Sequence, residues 1–199
     1  MRGESKMRGE SKMTNFLKCS HGDERAISRV LLHEHEDDLM GIPVVLTNAV
    51  EQKVCENCRE VLSTIIPDLE GLRAAVAIMR ANDPLRLNGK EIRFLRKALG
   101  YTGKELAEKM QVSAETVSRW ENDKELMRAT GEKLLRLIVG GMLATEAPAL
   151  DFDTDEIVNM HIQSVRAQDD LAPIFLEWVA LKMPKQPKSQ HWGVLAEVA

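Results

Sequence analysis

With 199 residues, 44% of them hydrophobic and 29% charged, the chain has the make-up of a folded protein with one or two cores. The formal net charge is −4, and no apolar run approaches the roughly 20 residues that a membrane-spanning helix needs. Three cysteines, an odd number, argue against a disulfide framework; with no cleavable signal in view, the cytoplasm is the expected compartment.

The chain opens on MRGESK, repeated at once and followed by Met13. Such a repeat can bury nothing, so residues 1–13 are set aside as a tag-like or disordered stretch. Residues 14–66 are expected to form a small zinc-bound domain. Cys55-Glu56-Asn57-Cys58 presents two thiolates from one tight turn, and Cys19-Ser20-His21 offers two more ligand types. A structural zinc takes four Cys or His ligands in a tetrahedron. Cys19, His21, Cys55 and Cys58 are the expected set. A β-hairpin is predicted to fill the gap between the knuckles. Its first strand covers 26–35, with Ile27, Val30, Leu31 and Leu32. The acidic segment His35-Glu36-Asp37-Asp38 is the turn, and Ile42–Thr47 is the second strand. His33 and His35 are alternative ligands, read more simply as exposed strand histidines. The acidic segment reads as a solvated hairpin tip. A zinc with four protein ligands leaves no open position for water, and no enzyme motif has good spacing, so no catalysis is expected.

Residues 67–84 are expected to be a connecting helix. Pro67 opens it, Leu69, Leu72, Val76 and Met79 form its stripe, and Asn82-Asp83-Pro84 ends it. Residues 85–140 then read as a helix-turn-helix module. Ile92, Leu95 and Leu99 mark a first helix, and Gly100 suits its left-handed end. Thr102 and Glu105 form a capping box for a second helix starting at Gly103. Gln111-Val112 make the turn, and Ser113 caps a third helix running to about Asn122. Val117 and Trp120 point inward; Glu115, Thr116, Ser118 and Arg119 lie on or beside the outer face. A fourth helix at 131–139 contributes Leu134, Leu135 and Ile138 to the core. From Arg86 to Gly140 twelve Lys and Arg oppose eight Asp and Glu, a local balance of +4 in an acidic chain. Residues 141–199 are expected to be a helical extension. Thr154 caps a helix with Val158, Ile162 and Val165. Pro173 opens another with Phe175, Leu176, Val179 and Met183, before a linker at 184–190. It is expected to pack on the module or a dimer interface, with a partner-binding segment as the sharper reading.

Residues 88–138 resemble the Cro/C1-type (XRE) helix-turn-helix family in the motif LAEKMQVSAETVSRWEN and the apolar helix after it. The resemblance implies that the third helix reads base edges of double-stranded DNA, with Arg119 on a guanine. Glu115 and Thr116 take neighbouring readout positions, and Ser113 and Ser118 touch phosphate. Lys90, Arg93, Lys97 and Lys104 are further phosphate candidates. Gly103 and Gln111 depart from the glutamine and glycine common at those places. Residues 16–140 are also similar to the MqsA-type antitoxins, with a YgiT-type zinc-binding domain, in FLKCSHG and IPVVLTNAVEQKVCENCRE. That likeness implies zinc, a toxin bound by the N-terminal domain, and a homodimer that represses its own operon at a palindromic operator. The first knuckle departs from it, because Gly22 stands where a second cysteine is usual.

The expectation is therefore an α+β, cytoplasmic, non-enzymatic transcriptional repressor, the antitoxin of a toxin-antitoxin pair, with no membrane partner. The alternatives are a stand-alone zinc-containing regulator and a zinc-stabilised interaction scaffold.

Overall fold

The computed structural model describes residue 19 and residues 26–165, 172–181 and 189–194. The N-terminal repeat, His21, Met183 and most of the 184–190 linker lie outside the described residues. The fold is mixed α+β, as expected: strands come first and helices follow, including the helix-turn-helix region.

The strands are not one hairpin. Residues 26–35 divide at Leu32-His33 into β1 (Ile27–Leu31) and β2 (Glu34–Leu39), which enter different sheets. β1 pairs antiparallel with β4 (Glu51–Cys55), and β4 with β5 (Val61–Ile65). β2 pairs antiparallel with β3 (Ile42–Thr47). The acidic segment is thus a strand, and the turn falls at Met40-Gly41. Both of these residues have positive φ, 57° and 96°, which a two-residue hairpin turn demands and a glycine eases. β3 is buried on both faces, as its unbroken run Ile42-Pro43-Val44-Val45-Leu46 suggests for a central strand.

Six helices follow among the described residues. α1 (Leu69–Asn82) is capped by Asp68, whose side chain accepts from the Gly71 amide at 3.0 Å. Pro67 therefore precedes the cap instead of occupying the first helical position. α2 (Gly89–Ala98), α3 (Gly103–Met110) and α4 (Ala114–Glu121) follow, after the short strand β6 (Leu85–Arg86). α5 (Ala129–Leu143) buries Leu135, Val139 and Leu143 against α1. Leu135 is buried and half-buried Ile138 packs against the core, as expected, but Leu134 is 40% exposed and does not join it.

The C-terminal region corrects the expectation most. α6 (Thr154–Asn159) is capped by Asp153 instead of Thr154 and stops after six residues, and β7 (Gln163–Val165) pairs with β6. The predicted helix after Pro173 is a strand, β8 (Ile174–Leu181), and β9 (Ser189–Val194) is another. β8 lies parallel to β3, with Val44 opposite Ile174, and β9 closes the four-stranded sheet β2-β3-β8-β9. The reason is in the side chains. Ile174 and Leu176 are buried while Phe175 between them is exposed, a period of two, and the run is rich in branched and aromatic residues. Buried Trp192 of β9 reaches α1, where its Nε1 donates to the Pro67 and Asp68 carbonyls at 3.2 and 3.1 Å. The extension is thus part of the core, and the sheet containing β3 is built from both ends of the chain.

Candidate nucleic-acid interface and metal centre

Local chemistry builds the helix-turn-helix. Gly100 ends α2 with φ 73°, a left-handed conformation that glycine adopts without strain. Thr102 and Glu105 then cap α3 reciprocally: Thr102 Oγ1 accepts from the Glu105 amide at 3.2 Å, and Glu105 accepts from the Thr102 amide at 2.7 Å. Those Thr102 bonds hold the Glu105 carboxyl below its ordinary pKa. α3 ends at Gln111, which sits in the left-handed region at φ 55°, ψ 42°. A side chain there costs about 1 kcal/mol relative to glycine. Ser113 caps α4 by accepting from the Thr116 amide at 3.0 Å.

Inside, α4 buries Val117 and Trp120. Outside, Ser113, Glu115, Ser118 and Arg119 are exposed and Thr116 is half-buried, so all five residues expected to face DNA remain accessible. Arg119 Nη2 donates to Glu115 Oε1 at 2.7 Å. Lys104 on α3 is 82% exposed and only loosely paired with Glu108, at 3.9 Å. Lys90 and Lys97 are exposed as well. Arg93 is spent differently: it donates to the Glu121 carboxylate and carbonyl, at 3.2 Å each, and to Asn122.

Residues 92–138 match the Helix-turn-helix family. Among curated proteins nothing matches the chain. The match covers a minority of the chain but all of α3 and α4, and it supports a DNA-binding regulator of the Cro/C1 type.

Holding the helix-turn-helix in place is a set of charges that sequence reasoning missed. Glu121, at the end of α4, takes two bonds from Arg96 of α2, at 2.5 and 3.1 Å, besides those from Arg93. Asp123 accepts from the Gly89 amide at 2.6 Å, so the loop after α4 is tied to the start of α2. Asn88 and Glu91 form a second capping box at that start. Behind them, Arg136 of α5 is fully buried. It donates to the Glu132 carboxylate at 2.7 Å and to the carbonyls of Arg80, Ala81, Asp83 and Leu85, where α1 ends and the chain crosses to α2. Arg80 in turn pairs with Glu91 and Asp83. The only sequence signal was local, the spacing Asn88-x-x-Glu91 and Glu132-x-x-x-Arg136.

The cysteines converge as expected. Cys19, Cys55 and Cys58 place their sulfurs within 4.8 Å of one another, beside buried Leu62. A zinc held at about 2.3 Å from each sulfur sets them roughly 3.8 Å apart, so the three thiols fit a tetrahedral ion and leave one position for a fourth ligand. The amide of Cys58 is the chief reason that the Cys55 pKa falls to about 7. For Cys58 the Glu60 amide pulls down, but desolvation and the neighbouring sulfurs outweigh it and raise the thiol. The cluster can bind a metal; His21, the expected fourth ligand, lies outside the described residues. Cys55 ends β4, so an ion bound here would tie the β1-β4-β5 sheet to Cys19. His33 is exposed and His35 half-buried, and neither joins the cluster. Among the described residues, no helix is long and apolar enough to cross a membrane.

Proposed function

We propose that the protein is a sequence-specific transcriptional repressor that binds a palindromic operator as a homodimer and carries a structural zinc. The observation that carries this reading is the exposed face of α4, presented by a capped and internally braced helix-turn-helix that matches the family over residues 92–138. Arg119 takes a guanine, Glu115 and Thr116 read beside it, and Ser113, Ser118 and Lys104 hold phosphates. Two copies related by a two-fold axis set their α4 helices about 34–36 Å apart, one turn of DNA. Zinc on Cys19, Cys55 and Cys58, with His21 as fourth ligand, supplies a cross-link and no reaction centre. The protein is not an enzyme on this reading, and it works in the cytoplasm.

An antitoxin role refines the proposal. The cysteine knuckles upstream of a helix-turn-helix support it, as does their likeness to MqsA-type antitoxins; the partner is then a toxin held by the β1-β4-β5 region. One observation favours a stand-alone regulator instead. The C-terminal strands β8 and β9 complete the β2-β3 sheet, a construction that the compact two-domain likeness does not call for. Footprinting of the purified protein on the DNA upstream of its own gene tests the proposal. Protection of a palindrome, with a dimer mass in sedimentation, supports it. A folded, zinc-loaded protein that protects nothing defeats it and leaves the interaction scaffold. Co-purification with the product of an adjacent gene then separates antitoxin from stand-alone regulator.

A further inference from the structure

Glu115 stands in the first turn of α4 and Arg119 one turn later, so both rise from the same strip of the helix. Arg119 Nη2 donates to Glu115 Oε1 at 2.7 Å, while the two side chains keep 53% and 74% of their surface open. Glu125 Oε2 approaches Arg119 Nη1 only to 3.9 Å. The Glu115 bond uses one of five guanidinium donors and one of two carboxylate oxygens. What remains is a set of guanidinium donors beside a carboxylate oxygen that this bond leaves open, on two side chains largely accessible to solvent. An exposed i,i+4 pair adds little to stability, and an acid on a surface that meets phosphates works against DNA binding.

Base edges supply the account. In the major groove a G·C pair presents two acceptors, guanine N7 and O6, and then one donor, cytosine N4. A donor fork followed by an acceptor is its complement. A·T and T·A pairs alternate acceptor, donor and acceptor, and C·G reverses the order. We propose that Arg119 and Glu115 read one G·C pair as a unit, Arg119 on guanine N7 and O6 and Glu115 on the cytosine N4 amine. The inference rests on α4 being a DNA-reading helix. Glu115 is then a specificity-determining residue. Its charge rejects any base that offers an acceptor where cytosine offers a donor, and its bond to Arg119 fixes the direction of the fork. The N-terminal turn of α4, with its partial positive charge, is a favourable place for that carboxylate.

Competition binding tests it with duplexes carrying each of the four base pairs at every operator position. The metal-loaded full-length protein is compared with Glu115→Gln, Arg119→Ala and the double variant. The contacted position is the one at which Arg119→Ala loses discrimination. Wild type should prefer G·C there by about tenfold or more. Glu115→Gln should keep or tighten non-specific binding, because a negative charge near phosphate is gone. It should also lose about tenfold of discrimination against A·T, since glutamine pairs with adenine. In the Arg119→Ala background the same change should have little further effect, as two residues acting together require. Unaltered melting of all three variants excludes a folding cause. If Glu115→Gln keeps the four-way preference within twofold while Arg119→Ala abolishes it, Glu115 is only a surface partner and the inference is overturned. If wild type prefers no base pair at any position, both the inference and the DNA-reading helix beneath it fail.

Discussion

Replacing Arg136 by Met is expected to destabilise the protein more than any exposed substitution on α4. Both Arg136 and its partner Glu132 are 0% exposed. The guanidinium satisfies Glu132 Oε1 at 2.7 Å and gathers four carbonyls at the crossing from α1 to α2. Methionine fills much of the volume but makes none of these bonds. Glu132 keeps the Leu87 amide at 2.9 Å, with the nearest remaining cation, Arg86, 3.9 Å away. Stranding a buried carboxylate in this way costs about 3–5 kcal/mol. Against a total stability of about 5–15 kcal/mol this is a large fraction. It corresponds to a melting point lower by roughly 10 °C in a chain of this size. Urea denaturation followed by far-UV circular dichroism measures it. Adding Glu132→Gln to Arg136→Met should recover part of the loss, because the uncompensated charge is then removed. A loss below about 1 kcal/mol for the single variant, or no recovery in the double, would refute the view that the pair is a buried, mutually dependent unit.

Gln111→Gly should stabilise the protein by about 1 kcal/mol, because φ 55° strains a side chain and not glycine; a lower urea midpoint would contradict the strain. Lys104→Ala, at a site 82% exposed, should leave stability within about 0.5 kcal/mol of wild type. It should weaken all DNA sequences alike and lower the slope of log affinity against log salt by about 1; a changed base preference would assign it another role. In metal-free protein, thiolate absorbance near neutral pH should come from Cys55, whose pKa of about 7 lies below the ordinary thiol value. Cys58, whose pKa is raised, gives up a proton to the metal on either side of that pH; below about 7 Cys55 must give up one more, so metal affinity should fall more steeply as pH drops through about 7. Cys55→Ser should abolish that absorbance step, and its persistence would locate the lowered thiol elsewhere.

Features whose cause is local were legible in the sequence. Thr102 with Glu105, Ser113 at the α4 cap and Gly100 at the α2 end all do what their neighbours within a few residues dictate. The convergence of Cys19 with Cys55 and Cys58 was legible because metal chemistry demands it. Asn88 and Glu91 carried an equally local cap signal that the reading of α2 passed over. The strand β8 could not be read, because its partner β3 lies far away in the chain and the two pair in parallel. Within IFLEWVAL the apolar residues satisfy a helical stripe almost as well as an alternating strand, and only the vacant edge of β3 decides between them. Leu134 was misplaced for a related reason: α5 turns its face toward α1, and buried Arg136 takes a place that an apolar pattern assigns to a hydrophobe.

On the reading proposed above, α4 recognises DNA sequence. Selection from random double-stranded DNA by the purified, zinc-loaded protein, with Arg119→Ala in parallel, tests it most directly. Wild type is expected to enrich a palindrome with half-sites one helical turn apart, and Arg119→Ala to lose the guanine within each half. Enrichment of no motif, or of one that Arg119→Ala leaves intact, would contradict the account.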